Sequence, residues 1–575
     1  MIADQLKDQH VLVLGLGASG LAMARWCVRC GARVTVADTR EAPPQLAKLR
    51  SELPDVNFVA GEFTASMVEG RDIRAVFKSP GLTPASVAPL WAAAQAMGLW
   101  MGGELDLFAR ALADMRATPA PAPDIPCAPV EAAEAVADEG QQALAEDTAD
   151  APPQDEDEAP VTPVLVPVPE APVGYAPKIL AVTGTNGKTT VTALTGQLVA
   201  RAGKSVAVAG NIGPTLLDTL TQKLDANELP DVWVLELSSF QLDGVKEFEP
   251  TAAVVLNLTQ DHLDWHGSME AYGAAKARIF GSKGLMVLNR EDSAVMAMLP
   301  PPTKGKAFQP WVVRAHVTFG ADMPQRPGDY GIEQVNGMAW LVRAQEADET
   351  RKKRKGEEEE ELYIQRLMPA DALRIRGRHN ATNALAALAL AQAAGCGLAP
   401  ILYGLREYRG EPHRVESVGV INGAEYFDDS KGTNVGATVA ALRGLGEDAG
   451  DSGSANSQRK LVVILGGDGK GQDFAPLADP VARHARAVVL IGRDASAIRA
   501  ALQASGVPLL DAGSMAQAVE VAHQQAHAGD AVLMSPACAS FDMFDNYEHR
   551  ARVFRDAVAA LAQSAGVMTG VGAIS

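Results

Sequence analysis

Val182-Thr183-Gly184-Thr185-Asn186-Gly187-Lys188-Thr189-Thr190 decides how this chain is read. The apolar run 179–182 leads into it as a strand, and Val191, Leu194, Leu198 and Val199 follow at helical spacing. A glycine-rich turn between strand and helix aims backbone N–H groups and the positive helix N-terminus at phosphate oxygens. Lys188 has the reach for β- and γ-phosphates and the Thr189 hydroxyl can ligate Mg2+, so ATP is the expected ligand. The spacing departs from the general phosphate-loop pattern, because Val182 stands where its first glycine falls. A chance Gly-Lys-Thr is the bland alternative, and the strand–loop–helix setting outweighs it.

Working outward from the loop, 205–209, 232–237, 252–258 and 285–288 read as further strands, followed by a β-rich stretch at 311–319 and 338–343. Glu236 interrupts an apolar run near the carboxyl end of its strand, where open sheets place ligands. Unpaired there, it is costly to bury. A structural ion pair would explain it, but a Mg2+-linked role fits a phosphate site better. In 259–266, His262 and His266 alternate with Asp261 and Asp264. That suggests a metal- or phosphate-handling loop, a weak signal alone because loops collect polar residues. Residues 268–280 read as a helix carrying Lys276 and Arg278, and composition does not separate Lys276 from a solvated charge.

Upstream, strands alternate with helices from residue 10 to about 112: strands at 10–14, 33–38, 57–60 and 75–78, helices at 19–30, 86–97 and 103–113. Gly15-Leu16-Gly17-Ala18-Ser19-Gly20 after the first strand, with Asp38 ending the second, fits a dinucleotide fingerprint. The fingerprint is weak evidence for NAD by itself. Its physical content is a nucleotide-phosphate site at a helix N-terminus. Downstream of 411, strands at 461–465, 487–491 and 531–534 alternate with helices at 433–443 and 495–503. The expected fold is α/β with three domains in series and parallel sheets: a Rossmann-like unit (1–112), a central phosphate-loop unit with a small β part (178–410) and a C-terminal Rossmann-like unit (411–575).

Between the first two units, 113–177 breaks the pattern. Residues 117–177 hold thirteen prolines, thirteen acidic residues and no Lys or Arg. Such a segment cannot assemble a core and reads as a flexible, self-repelling linker. Without it the net charge of −19 falls to −6, that of an ordinary soluble enzyme. The charged patch 345–362 reads as an exposed insertion. Nothing resembles a basic nucleic-acid-binding stripe. No run of about 18 apolar residues exists to span a membrane, and no export signal is seen, so a cytoplasmic, monomeric protein is expected. Five cysteines, odd in number and sparse, fit a reduced compartment. Cys27 and Cys30 form a lone CxxC on a helix, read as packed thiols.

The ordered strings Gly184-Thr-Asn-Gly-Lys-Thr189, Gly210-Asn211-Ile212-Gly213, Glu236-Leu-Ser-Ser-Phe-Gln241, Asp261-His262-Leu263-Asp264 and Ala275-Lys276-Ala277-Arg278 resemble the central domain of the Mur ligase family. Gly377-Arg-His-Asn380-Ala-Thr-Asn383 and Pro412-His413-Arg414 are similar to its ATP-contacting end. Asp428-Asp429-Ser430-Lys431-Gly432-Thr433-Asn434, Gly466-Gly-Asp-Gly-Lys470 and Ser535-Pro-Ala-Cys-Ala-Ser540 resemble the member that adds D-glutamate. The resemblance covers nearly the whole chain outside 113–177, 345–362 and about 447–458.

It implies an ATP-dependent ligase that joins D-glutamate to UDP-N-acetylmuramoyl-L-alanine through an acyl phosphate, in peptidoglycan precursor synthesis. The implied phosphate loop is Gly184, Thr185, Asn186, Gly187, Lys188, Thr189 and Thr190. Thr189 and Glu236 would serve one Mg2+; His262 and a CO2-derived carbamate on Lys276 would serve a second. Asn211, Asn383, Arg414 and Asp429 would contact ATP or shape its pocket. Lys431, Thr433, Lys470, Ser540 and Tyr547 would surround D-glutamate, with Tyr547 where the family often carries Phe. Ser19, Asp38, Thr39, Arg40, Ser79 and Gly81 would hold the UDP portion. A sister Mur ligase or a folylpolyglutamate-type ligase would share the central strings. An NAD-dependent dehydrogenase leaves the phosphate loop unexplained, and a non-catalytic ATP-binding regulator has no use for so complete a site.

Overall fold

The computed structural model describes residues 5–117, 174–304, 311–346, 362–447 and 459–566. The acidic segment 118–173, with Cys127, and most of the charged patch fall outside the described residues.

Three sheets stand in series. The first is parallel, in the order β3-β2-β1-β4-β5: β1 His10–Leu14, β2 Arg33–Asp38, β3 Asn57–Ala60, β4 Ala75–Lys78 and β5 Trp100–Gly102. The second has nine strands, ordered β14-β13-β12-β11-β10-β9-β6-β8-β7. Its parallel part is β6 Lys178–Thr183, β7 Val206–Gly210, β8 Val232–Glu236, β9 Ala252–Val255, β10 Leu285–Asn289 and β11 His316–Phe319. The expected small β part extends this sheet: β12 Tyr330–Val335 joins β11 through one pair, Phe319 and Tyr330, then runs antiparallel with β13 Met338–Glu346 and β14 Leu362–Pro369. The third sheet is ordered β15-β16-β20-β17-β18-β19: β15 Glu416–Ile421, β16 Ala424–Asp428, β17 Leu461–Gly466, β18 Ala485–Ile491, β19 Leu509–Asp511 and β20 Ala531–Met534. Only β15 is antiparallel there.

Parallel strands buried on both faces read as continuous apolar runs, which is why β6, β8, β9, β17 and β20 are legible in the sequence. Differences sit at element ends. The helix expected to stop at 113 runs Glu104–Ala117, past the boundary expected for the linker. Tyr175, inside the expected linker, donates its hydroxyl to Pro230 O and accepts from Trp233 Nε1. The strand expected at 311–319 starts only at His316, and Trp311–Val313 are exposed. The helix expected at 268–280 is Met269–Ala277 followed by a tighter 3-10 turn, Arg278–Phe280.

The first two units share one apolar core. Phe108 of the first meets Trp233 of the second edge-to-face at 5.1 Å, with Leu216 and Leu217 packed in the same cluster. The C-terminal unit has its own cores on the two faces of its sheet.

Candidate active site

The phosphate loop lies at the carboxyl end of β6, flanked by the ends of β8 and β9. Gly187 takes φ 83° as N-cap of the helix Lys188–Arg201, a conformation that a Cβ would strain. Asn257, just beyond β9, latches the loop: its Oδ1 accepts the Asn186 N–H at 2.8 Å and its Nδ2 donates to Asn186 O at 3.1 Å. Lys188 Nζ donates to Gly184 O and Thr185 O at 2.9 and 2.8 Å. An ammonium has three donors, so one remains for a ligand oxygen. Burial pushes the Lys188 amine below its ordinary range.

Glu236 is buried at the end of β8, and its Oε1 accepts from Asn211 Nδ2 at 3.0 Å. Lys276 is 1% exposed, so it is no solvated charge. Its Nζ donates to Gly184 O at 2.9 Å and Thr183 Oγ1 at 3.3 Å, over the Tyr272 ring. Burial, reinforced by Lys188, holds this amine well below its ordinary range. The two histidines of the 259–266 loop part ways. His262, at φ 53°, lies 3.6 Å from Asp261 in the field of Lys188 and Lys276. His266 hydrogen-bonds Ser239 Oγ and stacks on Phe240, and burial lowers it to about 4.

The C-terminal unit closes over this loop. Arg414 Nη2 donates to Thr189 Oγ1 at 2.6 Å, and Asn434 Nδ2 to Asn186 Oδ1 at 3.1 Å. Between the units lies a cavity of about 520 Å3 lined by Asn186, Gly187, Thr190, His379, Asn383, Arg414, Asp429 and Lys431. Asn383 abuts Gly187, and its Nδ2 donates to Asn380 Oδ1. Burial lifts Asp429 to about 7, although the Ser535 hydroxyl donates to it at 2.6 Å and Arg414 is near.

The candidate amino-acid residues gather on the loops after β16, β17 and β20, neighbours in the sheet. Lys431 Nζ stands 3.7 Å over the Tyr547 ring, and burial, then Arg414, lowers it to about 8. The Thr433 N–H donates to Lys431 O. Lys470 is exposed at φ 51°, on a loop joined to that of Ser540 by the Asp468–Ala539 bridge. Ser540 is buried, its carbonyl accepting from Met543 and Phe544 N–H. Buried Arg550 donates to Cys538 O and Ser430 O, tying two of these loops together.

In the first unit, Gly15 takes φ 83°, and a Cβ on Gly20 would stand 1.9 Å from Gly15 O. Ser79 Oγ donates to that same carbonyl. Asp38 accepts the N–H groups of Leu16 and Arg40 and the Arg40 guanidinium. Burial opposes ionisation, yet Arg40 and the two N–H donors hold Asp38 down at about 2. Thr39, Arg40 and Gly81 are exposed at this loop, while Ser19 is turned toward Glu104.

Other groups carry no site. His413, Glu416 and Asp428 have metal-like spacing, but Arg555 bonds both carboxylates. Cys27 and Cys30 are free; burial raises both, Cys30 to about 11. Among the described residues no helix is long and apolar enough to cross a membrane. Sequence reasoning missed Asn257, Tyr272 and Glu104, and gave no role to His379 and Asn434 although both fall in the strings quoted above. For Asn257 a signal existed: a lone polar residue in the apolar stretch at the carboxyl end of a strand.

Residues 9–102, 182–391 and 413–538 match, respectively, the MurD-like N-terminal domain of Mur ligases, the Mur ligase middle domain and the Mur ligase glutamate ligase domain. The chain is 65% identical to the UDP-N-acetylmuramoylalanine--D-glutamate ligase of Albidiferax ferrireducens, covering 98% of each protein. It is 51% identical to the ligase of that name from Burkholderia mallei, over 98% of this chain and 99% of that one. The MurF ligase of Thermotoga maritima, solved in complex with ADP, shares the fold with a TM-score of 0.51 at 13% identity, over 97% of this chain and all of that one. With three domain matches in order and relatives this similar end to end, the chain belongs to the Mur ligase family.

Proposed function

We propose that this protein is an ATP-dependent amide ligase that joins D-glutamate to UDP-N-acetylmuramoyl-L-alanine, releasing ADP and phosphate. One observation carries the reading beside the relatives' name: the phosphate loop, through Asn186, Gly187 and Thr190, faces Arg414, Asp429 and Lys431 of the C-terminal unit across one cavity.

The γ-phosphoryl group passes to the terminal L-alanine carboxylate, giving an acyl phosphate. The D-glutamate amine attacks its carbonyl carbon, the C–O bond to phosphate breaks, and the amine's proton is lost. Positioning and charge stabilisation dominate such transfers. The loop N–H groups and the third Lys188 donor bind phosphate oxygens. Arg414 orients Thr189 and brings its own charge to the same phosphates. Lys431, Thr433, Lys470 and Ser540 hold the D-glutamate carboxylates, with Tyr547 packed under Lys431. The C-terminal unit, held to the loop through Arg414–Thr189 and Asn434–Asn186, excludes water from the acyl phosphate when it covers the site.

The donors fit Mg2+, since Glu236 is a buried carboxylate whose side-chain partner among the described residues is the neutral Asn211 amide, leaving oxygen free for a hard cation. Thr189 and Glu236 would hold one ion. His262 and carbamylated Lys276 would hold a second, and ions so held would supply positive charge to the transferred group. The carbamate forms when the neutral Lys276 nitrogen bonds the carbon of CO2 and releases one proton to solvent. Desolvation disfavours the charged amine and so favours the neutral form that this needs. In the N-terminal unit, Asp38, Thr39, Arg40, Ser79 and Gly81 take the uracil, ribose and phosphates.

The test is phosphate release from ATP with the UDP-sugar, comparing D-glutamate with L-glutamate, L-lysine and meso-diaminopimelate. Release that needs both the UDP-sugar and D-glutamate is expected. Release with another amino acid keeps the mechanism and moves the protein to a sister ligase. No release with any pairing refutes the ligase reading.

A further inference from the structure

The seam between the first two units holds a carboxylate that the reaction above does not use. Glu104 opens the helix Glu104–Ala117 and is 3% exposed. Its Oε1 accepts the Leu217 N–H at 3.1 Å, and the Leu216 N–H and Ser19 hydroxyl lie near enough to the carboxyl group to favour its charged form. Ser19 lies in the first turn of the helix Ala18–Arg29, which starts at Gly17 with no side-chain cap. Leu216 and Leu217 open the helix Leu216–Asp225, whose own N-cap Thr215 makes no side-chain cap bond. Glu104 therefore caps the central unit's helix from outside while lying beside the start of the N-terminal unit's helix.

Its other oxygen, Oε2, is buried without a hydrogen-bond partner by geometry. A charged oxygen so placed is costly, and a proton on it removes the cost. Burial pushes Glu104 up to about 7, against the Leu217 N–H and Ser19 hydroxyl. Asp218, on the central helix, adds to the upward push, and is itself paired with Arg25 of the N-terminal helix at 3.0 Å. On the helix of Glu104 itself, Asp106 is engaged by the Gly103 and Lys246 N–H groups.

We propose that Glu104 is a positioning residue that joins the glycine loop 15–20 to the central unit and takes up a proton when a nucleotide diphosphate occupies that loop. The inference rests on the reading that the UDP portion binds there. Phosphates at the start of the helix Ala18–Arg29 stand close to Ser19, so the like charge of an ionised Glu104 opposes them. A solvent proton bound at Oε2 relieves the repulsion and leaves Oε1 as the cap of the central helix. That helix comes after the loop whose Asn211 donates to Glu236, so the residue that senses the nucleotide also braces the phosphoryl-transfer site.

The experiment is calorimetry of UDP-N-acetylmuramoyl-L-alanine binding to the full chain, without ATP or D-glutamate, at pH 6 to 9 in buffers of different ionisation enthalpy. We expect close to one proton taken up per ligand at pH 8, and a Kd that rises several-fold from pH 7 to 8.5. Glu104→Gln keeps the acceptor oxygen and cannot ionise, so its Kd should be flat across this range with no proton uptake from this site. A parent protein that binds without proton uptake overturns the proposal, and this measurement needs no variant to fold. A Glu104→Gln protein that keeps the parent's pH slope overturns it as well. Arg40→Ala separates the two readings. If it binds as the parent does, the UDP placement fails; if it binds weakly while the proton count is nil, only the linkage fails.

Discussion

Lys276 and Asp429 are both buried ionisable groups whose charged forms desolvation disfavours, and each has a testable consequence. Beneath the phosphate loop, burial and Lys188 disfavour the charged form of the Lys276 amine and so favour the neutral state that adds CO2. With 13C-labelled bicarbonate, a carbamate carbon signal is expected in the parent and absent in Lys276→Arg. Turnover should fall by roughly 100-fold or more in that variant, since it loses a group that holds charge at the reacting phosphate. A Lys276→Arg protein with normal turnover would refute the assignment. Asp429 titrates near 7 in the folded protein against 3.8 ordinarily. As pH rises from 4 to 7 the unfolded chain releases this proton first, so ionisation works against folding and the full cost is felt above 7. Asp429→Asn should therefore leave thermal stability unchanged at pH 4 and raise it at pH 8, by at most about 4 kcal/mol. A difference that does not grow between pH 5 and 8 would sink the idea.

At the scale of elements, the crossing from β1 into the helix Ala18–Arg29 depends on close backbone approach. A Cβ on Gly20 would meet Gly15 O at 1.9 Å, and neither backbone can yield without moving the loop. Gly20→Ala should cost about 1–3 kcal/mol and weaken binding of the UDP-sugar while leaving ATP binding near normal. Equilibrium unfolding and calorimetry with each ligand check both parts. Two hairpins show where local sequence was legible and passed over. Asn336-Gly337 and Asn422-Gly423 both take positive φ at their two central residues, the geometry that joins β12 to β13 and β15 to β16. Asn-Gly between apolar runs is a strong short-range hairpin signal. The helix Arg378–Ala393 is buried along most of its length and alanine-rich, so it has little amphipathic periodicity to read.

For the whole molecule, the units are joined in two different ways. The first two share an apolar core and buried polar ties such as Glu104 to Leu217. The third meets the central unit through polar contacts around a cavity. The acidic segment leaves and re-enters at one place, because the Tyr175 N–H donates to Met115 O at 3.1 Å. Replacing 118–173 by a short Gly-Ser linker should therefore leave turnover within twofold. It should not lower the melting temperature, since a loop about ten times shorter costs about 2 kcal/mol less to close. Loss of most activity would show that the segment takes part in catalysis.

The sequence by itself determined the three α/β units, the parallel sheets and the phosphate loop. Apolar runs, helical spacing and glycine turns are local properties written along the chain. It also marked Glu236, a charge inside an apolar strand. Only the tertiary structure decided that Lys276 is buried under Gly184, that His262 and His266 have different partners, and that Asn257 latches the loop from a neighbouring strand. It alone brought Arg414 and Asn434 onto Thr189 and Asn186, and set Glu104 between two helix ends. Burial and partnership are made by segments far apart in the chain, and the desolvation that shifts a proton or frees an amine has no counterpart in residue order.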